Sequence, residues 1–164
     1  MKVIKVKSPT RIDLSGGTLD CWPLYSFLSG SYTVNLSIDI FTCAELDVLD
    51  SSDQVSIHLV DLNYEKSFKN LNEFLNCQDR ELKLVQVIVN HFNPNFGFNL
   101  KTSSQSPVGG GLGGSSSLTI SIIKAFLKAL NQNMSAHSMV TLAHNLEAEI
   151  LMTPTGTQDY YPAV

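Results

Sequence analysis

The sequence predicts an α+β fold, on three observations. Its first half is rich in β-branched and aromatic runs with partial two-residue alternation. Its second half carries apolar residues at helical spacing. Strands and helices do not alternate in the regular βαβ rhythm of a doubly wound parallel sheet.

Taken in order, "VIKVK" and "TRIDLS" read as two short strands separated by Pro9. Residues 31–50, "SYTVNLSIDIFTCAELDVLD", form a long strand candidate. The turn-like "DSSD" follows, and 54–60, "QVSIHLV", is a further strand. Over 80–92 the spacing of Leu84, Val85, Ile88, Val89 and Phe92 predicts a helix with one apolar face. "NPNFG" breaks the chain, and 96–102 alternates as a strand. Ile122, Ile123, Phe126, Leu127 and Leu130 define a buried helix over 115–130 that "NQN" ends. A second helix runs from Ser135 to Met152, with Met139, Leu142, Ala143, Leu146 and Ile150 inward, and "TPTG" stops it.

At 164 residues the chain is sized for one domain, expected to span 1–164. Net charge is −4 and no basic run is present, which argues against nucleic acid as the main partner. An anionic ligand must therefore be held by local groups. Cys21, Cys43 and Cys77 are widely spaced, without a CxxC pair, as expected in a reducing compartment. No apolar run approaches the roughly 18 residues of a membrane span. The opening "MKVIKVKSPTRIDL" is too polar for a signal peptide, so a cytoplasmic location without membrane partners is expected. "GTQDYYPAV" at the other end reads as a cut from a longer polypeptide.

Residues 107–118, "PVGGGLGGSSSL", join a strand to a buried helix. The first N–H groups of a helix lack internal partners, and its dipole adds positive charge there. Glycines let successive N–H groups curl around an oxygen cluster. That makes Pro107, Gly109, Gly110, Gly111, Leu112, Gly113, Gly114, Ser115 and Ser116 a candidate phosphate cradle. A flexible linker would not run directly into so apolar a helix. Gly109, Gly111 and Gly114 satisfy G-x-G-x-x-G, but no acidic residue closes a second strand about 20 positions on, as a dinucleotide fold requires. No lysine follows the glycines as in a Walker A loop, and the protein-kinase motifs V-A-I-K, H-R-D and D-F-G are missing.

The remaining pattern, P-x-x-x-G-L-G-x-S-S, resembles the loop of the GHMP kinases, with a glycine at Gly114 where that family usually has serine. "SPTRIDLSGGTLD" resembles the family's first motif on Pro9, Arg11, Gly16, Gly17 and Asp20, with "GGTLD" where heptose-phosphate kinases more often have "GGGTD". "TPTGTQDYYPA" resembles the segment of the catalytic aspartate, here Asp159, in the form seen in heptose-phosphate kinases and fucokinase-like enzymes. The resemblance implies a nucleotide-binding domain with a mixed sheet packed against helices, joined in the family to a second, ferredoxin-like domain that this chain is expected to lack. It implies ATP as donor, Mg²⁺ as cofactor and a sugar or sugar-phosphate hydroxyl as acceptor, heptose 7-phosphate-like or fucose-like. A mevalonate-type alcohol is the alternative acceptor, and a non-catalytic binding module the alternative class.

The resemblance also assigns roles. Asp159 is the candidate base. Arg11 stabilises the transferring phosphoryl group and keeps Asp159 ionised. These two are far apart in sequence, so a tertiary meeting is expected. Ser115 and Glu147 are the metal-ligand candidates, oxygen donors suited to Mg²⁺; Glu149 competes but sits toward the solvated face. Asp20, Thr18 and Gly156 are assigned to the acceptor, with Trp22 and Tyr25 either sugar-facing or core. All four histidines read as surface or satisfied residues, His137 and His144 being too far apart to share a metal from one helix.

Overall fold

The computed structural model describes residues 2–49 and 52–164, so Asp50 at the end of the predicted 31–50 strand, and Ser51 in the turn after it, lie outside the described residues. One five-stranded sheet has the order β1-β2-β5-β3-β4. Its strands are β1 (Lys2–Ser15), β2 (Val34–Leu49), β3 (Val55–Leu59), β4 (Tyr64–Phe68) and β5 (Gly97–Ser104). β3 and β5 run parallel and the other neighbours antiparallel, so the sheet is mixed, as the α+β reading requires. The helices are α1 (Leu24–Phe27), α2 (Leu71–Leu75), α3 (Lys83–Phe92), α4 (Gly114–Ala129) and α5 (Ala136–Leu151). Among the described residues no helix is long and apolar enough to cross a membrane.

β1 corrects the two-strand expectation at Pro9. The chain passes through the proline as a single strand, because β1 is an edge strand and Pro9 sits at a bulge, the position where a missing N–H costs least. Between Pro9 and Thr10 the partner register jumps from Phe41 to Ile38. Thr10 Oγ1 donates to the Ile40 carbonyl at 2.9 Å and fills the gap in the ladder. Beyond this bulge β1 delivers the buried Arg11 toward the glycine loop, and the Arg11 N–H bonds to the Leu112 carbonyl at 3.0 Å.

α4 is the central helix, packed on β1 and β2 on one side and on α3 and α5 on the other. Ile120, Ile122, Ile123, Phe126 and Leu127 are buried, whereas the predicted Leu130 is only half-buried at the helix end. Phe126 stacks on Phe92 at 5.7 Å and meets Phe98 edge-on at 5.2 Å. The first turns of α4 reach the sheet through hydroxyls. Ser117 Oγ donates to the Ser8 carbonyl at 3.0 Å and lies 2.8 Å from Thr42 Oγ1, which is also 3.1 Å from Ser121 Oγ. These small polar residues let the helix start sit close over the strands and bond to them.

β4 and α2 had no sequence assignment. "YEKSF" is an edge strand with its polar residues outward, so it lacks the apolar alternation that marks an inner strand. Its Tyr64 hydroxyl and Lys66 both bond Asp79, at 2.7 and 2.9 Å, tying the edge to the entry of α3. These two bonds, Tyr64 first, hold the Asp79 carboxyl down at about 2.

Two tests follow from this packing. Phe126→Ala is expected to lower stability by about 3–5 kcal/mol in urea unfolding, the cost of an aromatic-sized cavity. Asp79 has a folded value below its ordinary one, so its contribution is present above about pH 4 and is lost as pH falls toward about 2. Asp79→Asn should therefore flatten the fall in stability across that window, read by thermal unfolding at stepped pH.

Candidate active site

The site is built on the glycine loop between β5 and α4. Gly113, the N-cap of α4, adopts φ +69°, a left-handed conformation that favours glycine. A Cβ there would touch Arg11 Cγ and Asp159 Cβ, both at 3.4 Å. No side chain caps α4, and the first internal bond runs from the Ser117 N–H to the Gly113 carbonyl at 2.9 Å. The N–H groups of Gly114, Ser115 and Ser116 therefore have no partner within the helix. They open on a cleft of about 570 Å³ lined by the loop, Ser106, Leu59, Leu62, Leu84 and Glu147 among others. Every loop residue expected to cradle phosphate, from Pro107 to Ser116, lines this cleft, and Ser115 is exposed. Gly114 departs from the family's serine in a crowded place: a Cβ would lie 3.1 Å from both Cβ and Oγ of Ser106.

Arg11 and Asp159, 148 residues apart, meet at the loop. Arg11 Nε and Nη2 both donate to Asp159 Oδ1, at 2.9 and 2.5 Å. Nη1 donates to the Gly111 carbonyl at 2.6 Å and lies 3.3 Å from Asp13 Oδ2. The guanidinium is 8 % exposed and Asp159 28 %, so the pair is shielded on the arginine side and reachable on the carboxylate side. Glu147, on α5, lines the same cleft, whereas Glu149 is exposed outside it. Glu147 Oε2 accepts a hydrogen bond from the fully buried Tyr160 at 2.5 Å. Burial first, and then Glu147, raise the Tyr160 phenol well above the tyrosine range, so it acts as a donor.

The 155–163 segment has no strand or α-helix; turn bonds from the Tyr160 N–H to the Thr157 carbonyl and from the Ala163 N–H to the Tyr160 carbonyl shape it, and side chains of neighbouring elements hold it in place. His144 lies 2.9 Å from the Thr155 carbonyl, Asn35 Nδ2 donates to the Gln158 carbonyl at 2.9 Å, and Lys124 donates to the Ala163 carbonyl at 2.8 Å. Asp20 Oδ2 accepts from the N–H groups of Thr157 and Gln158 and from Thr157 Oγ1. Asp20 lines a second cleft with Tyr25, Tyr32, Asn35 and Gln158, while Thr18 and Gly156 flank it without lining it. Trp22 and Tyr25 are both exposed, so neither belongs to the core, and only Tyr25 reaches the second cleft.

Sequence reasoning missed the Tyr160–Glu147 bond and the loop tethers. The available signal was chemical: a buried tyrosine needs a partner for its hydroxyl. His144 proves to be a loop tether and His137 lies 3.1 Å from the Tyr161 hydroxyl; among the described residues no cluster of metal-binding side chains of three or more forms.

Comparison with known proteins agrees with this architecture. Residues 81–164 match the model of the GHMP kinases N terminal domain. The chain is 32% identical over 168 residues to the D-glycero-alpha-D-manno-heptose 7-phosphate kinase of Campylobacter jejuni subsp. jejuni, covering 99% of this chain and 48% of that protein. It is 26% identical to a galactokinase of Pyrococcus furiosus, over 100% of this chain and 44% of that protein. Among solved structures, a D-glycero-D-manno-heptose 1-phosphate kinase from Bacteroides thetaiotaomicron superposes with a TM-score of 0.84 at 26% identity, over 98% of this chain and 52% of that one. The chain belongs to the GHMP kinase N-terminal domain family. It spans about half the length of the curated relatives it matches.

The buried guanidinium makes the Arg11–Asp159 pair testable without substrate. Arg11→Met should cost about 3 kcal/mol, because it leaves a half-shielded carboxylate unpaired. In a double-mutant cycle with Asp159→Ala, urea unfolding should give a coupling of about 1–3 kcal/mol.

Proposed function

We propose that this chain forms the nucleotide-binding half of an ATP-dependent, Mg²⁺-requiring kinase that phosphorylates a hydroxyl of a sugar or sugar phosphate, heptose 7-phosphate-like or fucose-like. The observation that carries this reading is the Arg11–Asp159 pair held at the mouth of the glycine loop. Phosphoryl transfer depends on positioning and charge neutralisation more than on covalent chemistry by the protein. The loop and the N–H groups of Gly114, Ser115 and Ser116 provide donors for a polyphosphate, and Leu59, Leu62 and Leu84 in the same lining offer apolar contact to a nucleobase. Both arginine bonds fall on Asp159 Oδ1, so Oδ2 is the oxygen available to an acceptor hydroxyl. Asp159 orients that hydroxyl and takes its proton late, while Arg11 pairs with the carboxylate and faces the transferred group.

Glu147 and Ser115 line one cleft with oxygen donors only, the ligand chemistry Mg²⁺ prefers, and they are the residues that would hold it. Bound there, the ion would neutralise phosphate charge. Tyr160 already fixes Glu147 Oε2 and leaves the other carboxylate oxygen as the one to turn toward the cleft. The second cleft, with Asp20, Thr18 and Gly156 at its edge, is the acceptor side. Its partners on this reading are small molecules, in a cytoplasmic setting. The 26% identity to a mevalonate kinase of Methanocaldococcus jannaschii, over 94% of this chain and 51% of that protein, supports an alcohol acceptor as the second reading.

An ADP-release assay of the full-length protein against sugars, sugar phosphates and mevalonate tests both. ADP should appear only with a suitable sugar or sugar phosphate; release with mevalonate alone would select the second reading, and tight nicotinamide-cofactor binding without ATP binding would reject both. Asp159→Asn should lower kcat by about 100-fold or more while ATP affinity holds. Unchanged turnover would remove Asp159 from the reaction.

A further inference from the structure

We propose that Asp20 is a positioning residue for Asp159, not a ligand of the acceptor, so that the turn after β1 and the loop before Asp159 act as one clamp. The inference rests on the reading of Asp159 given above. Asp20 stands in the acceptor-side cleft, where a carboxylate facing solvent would accept sugar hydroxyls. Neither of its oxygens is placed to do so. Oδ2 takes three donors from one loop: the Thr157 N–H, Thr157 Oγ1 at 3.1 Å and the Gln158 N–H at 2.7 Å. Oδ1 is buried against Gly156 and has no hydrogen-bond partner among the described residues; a Cβ at position 156 would lie 2.5 Å from it.

Charged acceptors bind backbone N–H groups more strongly than neutral ones, and two successive N–H groups on one oxygen orient the two peptide planes that flank Thr157. The next peptide, between Gln158 and Asp159, is held by Asn35 Nδ2, which donates to the Gln158 carbonyl at 2.9 Å. The loop has no strand ladder, only a turn bond from the Tyr160 N–H to the Thr157 carbonyl at 3.2 Å, so these side-chain bonds and Arg11 place that turn and the Asp159 it carries. Arg11 and Asp20 leave the same stretch of chain, β1 and the turn behind it, and grip the loop at adjacent residues. Arg11 holds one oxygen of the carboxylate and Asp20 holds the loop that aims it. A carboxylate displaced by about an ångström from a reacting hydroxyl costs on the order of 100-fold in rate while leaving substrate contacts in place.

The test uses Asp20→Ala and Asp20→Asn in the full-length protein, with steady-state kinetics and residue-resolved amide hydrogen exchange. Asp20→Ala should lower kcat by about 100-fold with KM for the acceptor within about threefold of the unaltered value. Exchange at Thr157 and Gln158 should accelerate by about tenfold or more while the α4 amides keep their protection. Asp20→Asn retains an acceptor oxygen and should recover kcat to within about tenfold. A rise of about tenfold or more in acceptor KM with kcat and exchange unchanged would make Asp20 a direct ligand and overturn the proposal. So would unchanged exchange at Thr157 and Gln158, or a loss of protection spread through α4. If Asp20→Ala does not fold, Asp20→Glu, which moves the carboxylate out by one methylene, should still accelerate exchange at Thr157 and Gln158 and lower kcat at constant KM, and no change in either would sink the clamp. Exchange needs no turnover. A failure of the unaltered protein to phosphorylate any acceptor counts against the kinase reading, and the exchange arm still decides the clamp.

Discussion

Arg11 is the group on which the rest of the arrangement depends. A guanidinium cannot shed its charge, so once buried it must be surrounded by acceptors. Arg11 finds them in three separate places: the Gly111 carbonyl, Asp13 on its own strand and Asp159 at the far end of the chain. Its backbone N–H also bonds Leu112. One residue thus joins the edge strand, the phosphate-type loop and the loop of the candidate base. Removing any of the three partners leaves the charge less well compensated, which ties the position of each to the others.

The bulge beside Pro9 lies just before this residue. There β2 carries two extra residues, Asp39 and Ile40, opposite the Pro9–Thr10 step, and β1 runs on unbroken to bring Arg11 to the loop. The hydroxyl contacts of Ser117 with Ser8 and Thr42 secure α4 at the same place, so the helix start that exposes free N–H groups is anchored next to the arginine. Gly113 completes the approach, because both Arg11 and Asp159 pack against the space where its side chain would begin.

Much of this was legible in the sequence, for physical reasons that differ by element. α4 and α5 were readable because a helix that packs on one face must repeat its apolar residues at 3.6-residue spacing. The glycine loop was readable because close approach of a backbone leaves few residue choices, and Arg11 through the resemblance of its motif to the family's first one. β4 was not, since an edge strand faces solvent and carries charge where an inner strand carries apolar side chains. Nor was the continuity of β1, because a bulge exists only relative to a partner strand. Asp20 shows a different limit. A carboxylate that holds a sugar and one that holds two backbone N–H groups are the same letter, and only the fold says which donors are near. Glu147 was singled out by the resemblance and by its edge position on the helix, but the buried Tyr160 that fixes one of its oxygens lies 13 residues away at no helical interval.

The central claim is that the amides at the start of α4 and in the loop before it grip a nucleotide's phosphates. Amide chemical-shift mapping of the ¹⁵N-labelled chain on addition of Mg²⁺ and ATP examines those groups one by one. The account predicts saturable shifts concentrated on Gly109 to Ser116 and reaching Arg11. Shifts confined to the cleft around Asp20 and Tyr32, or no saturable change in the loop at all, would contradict it.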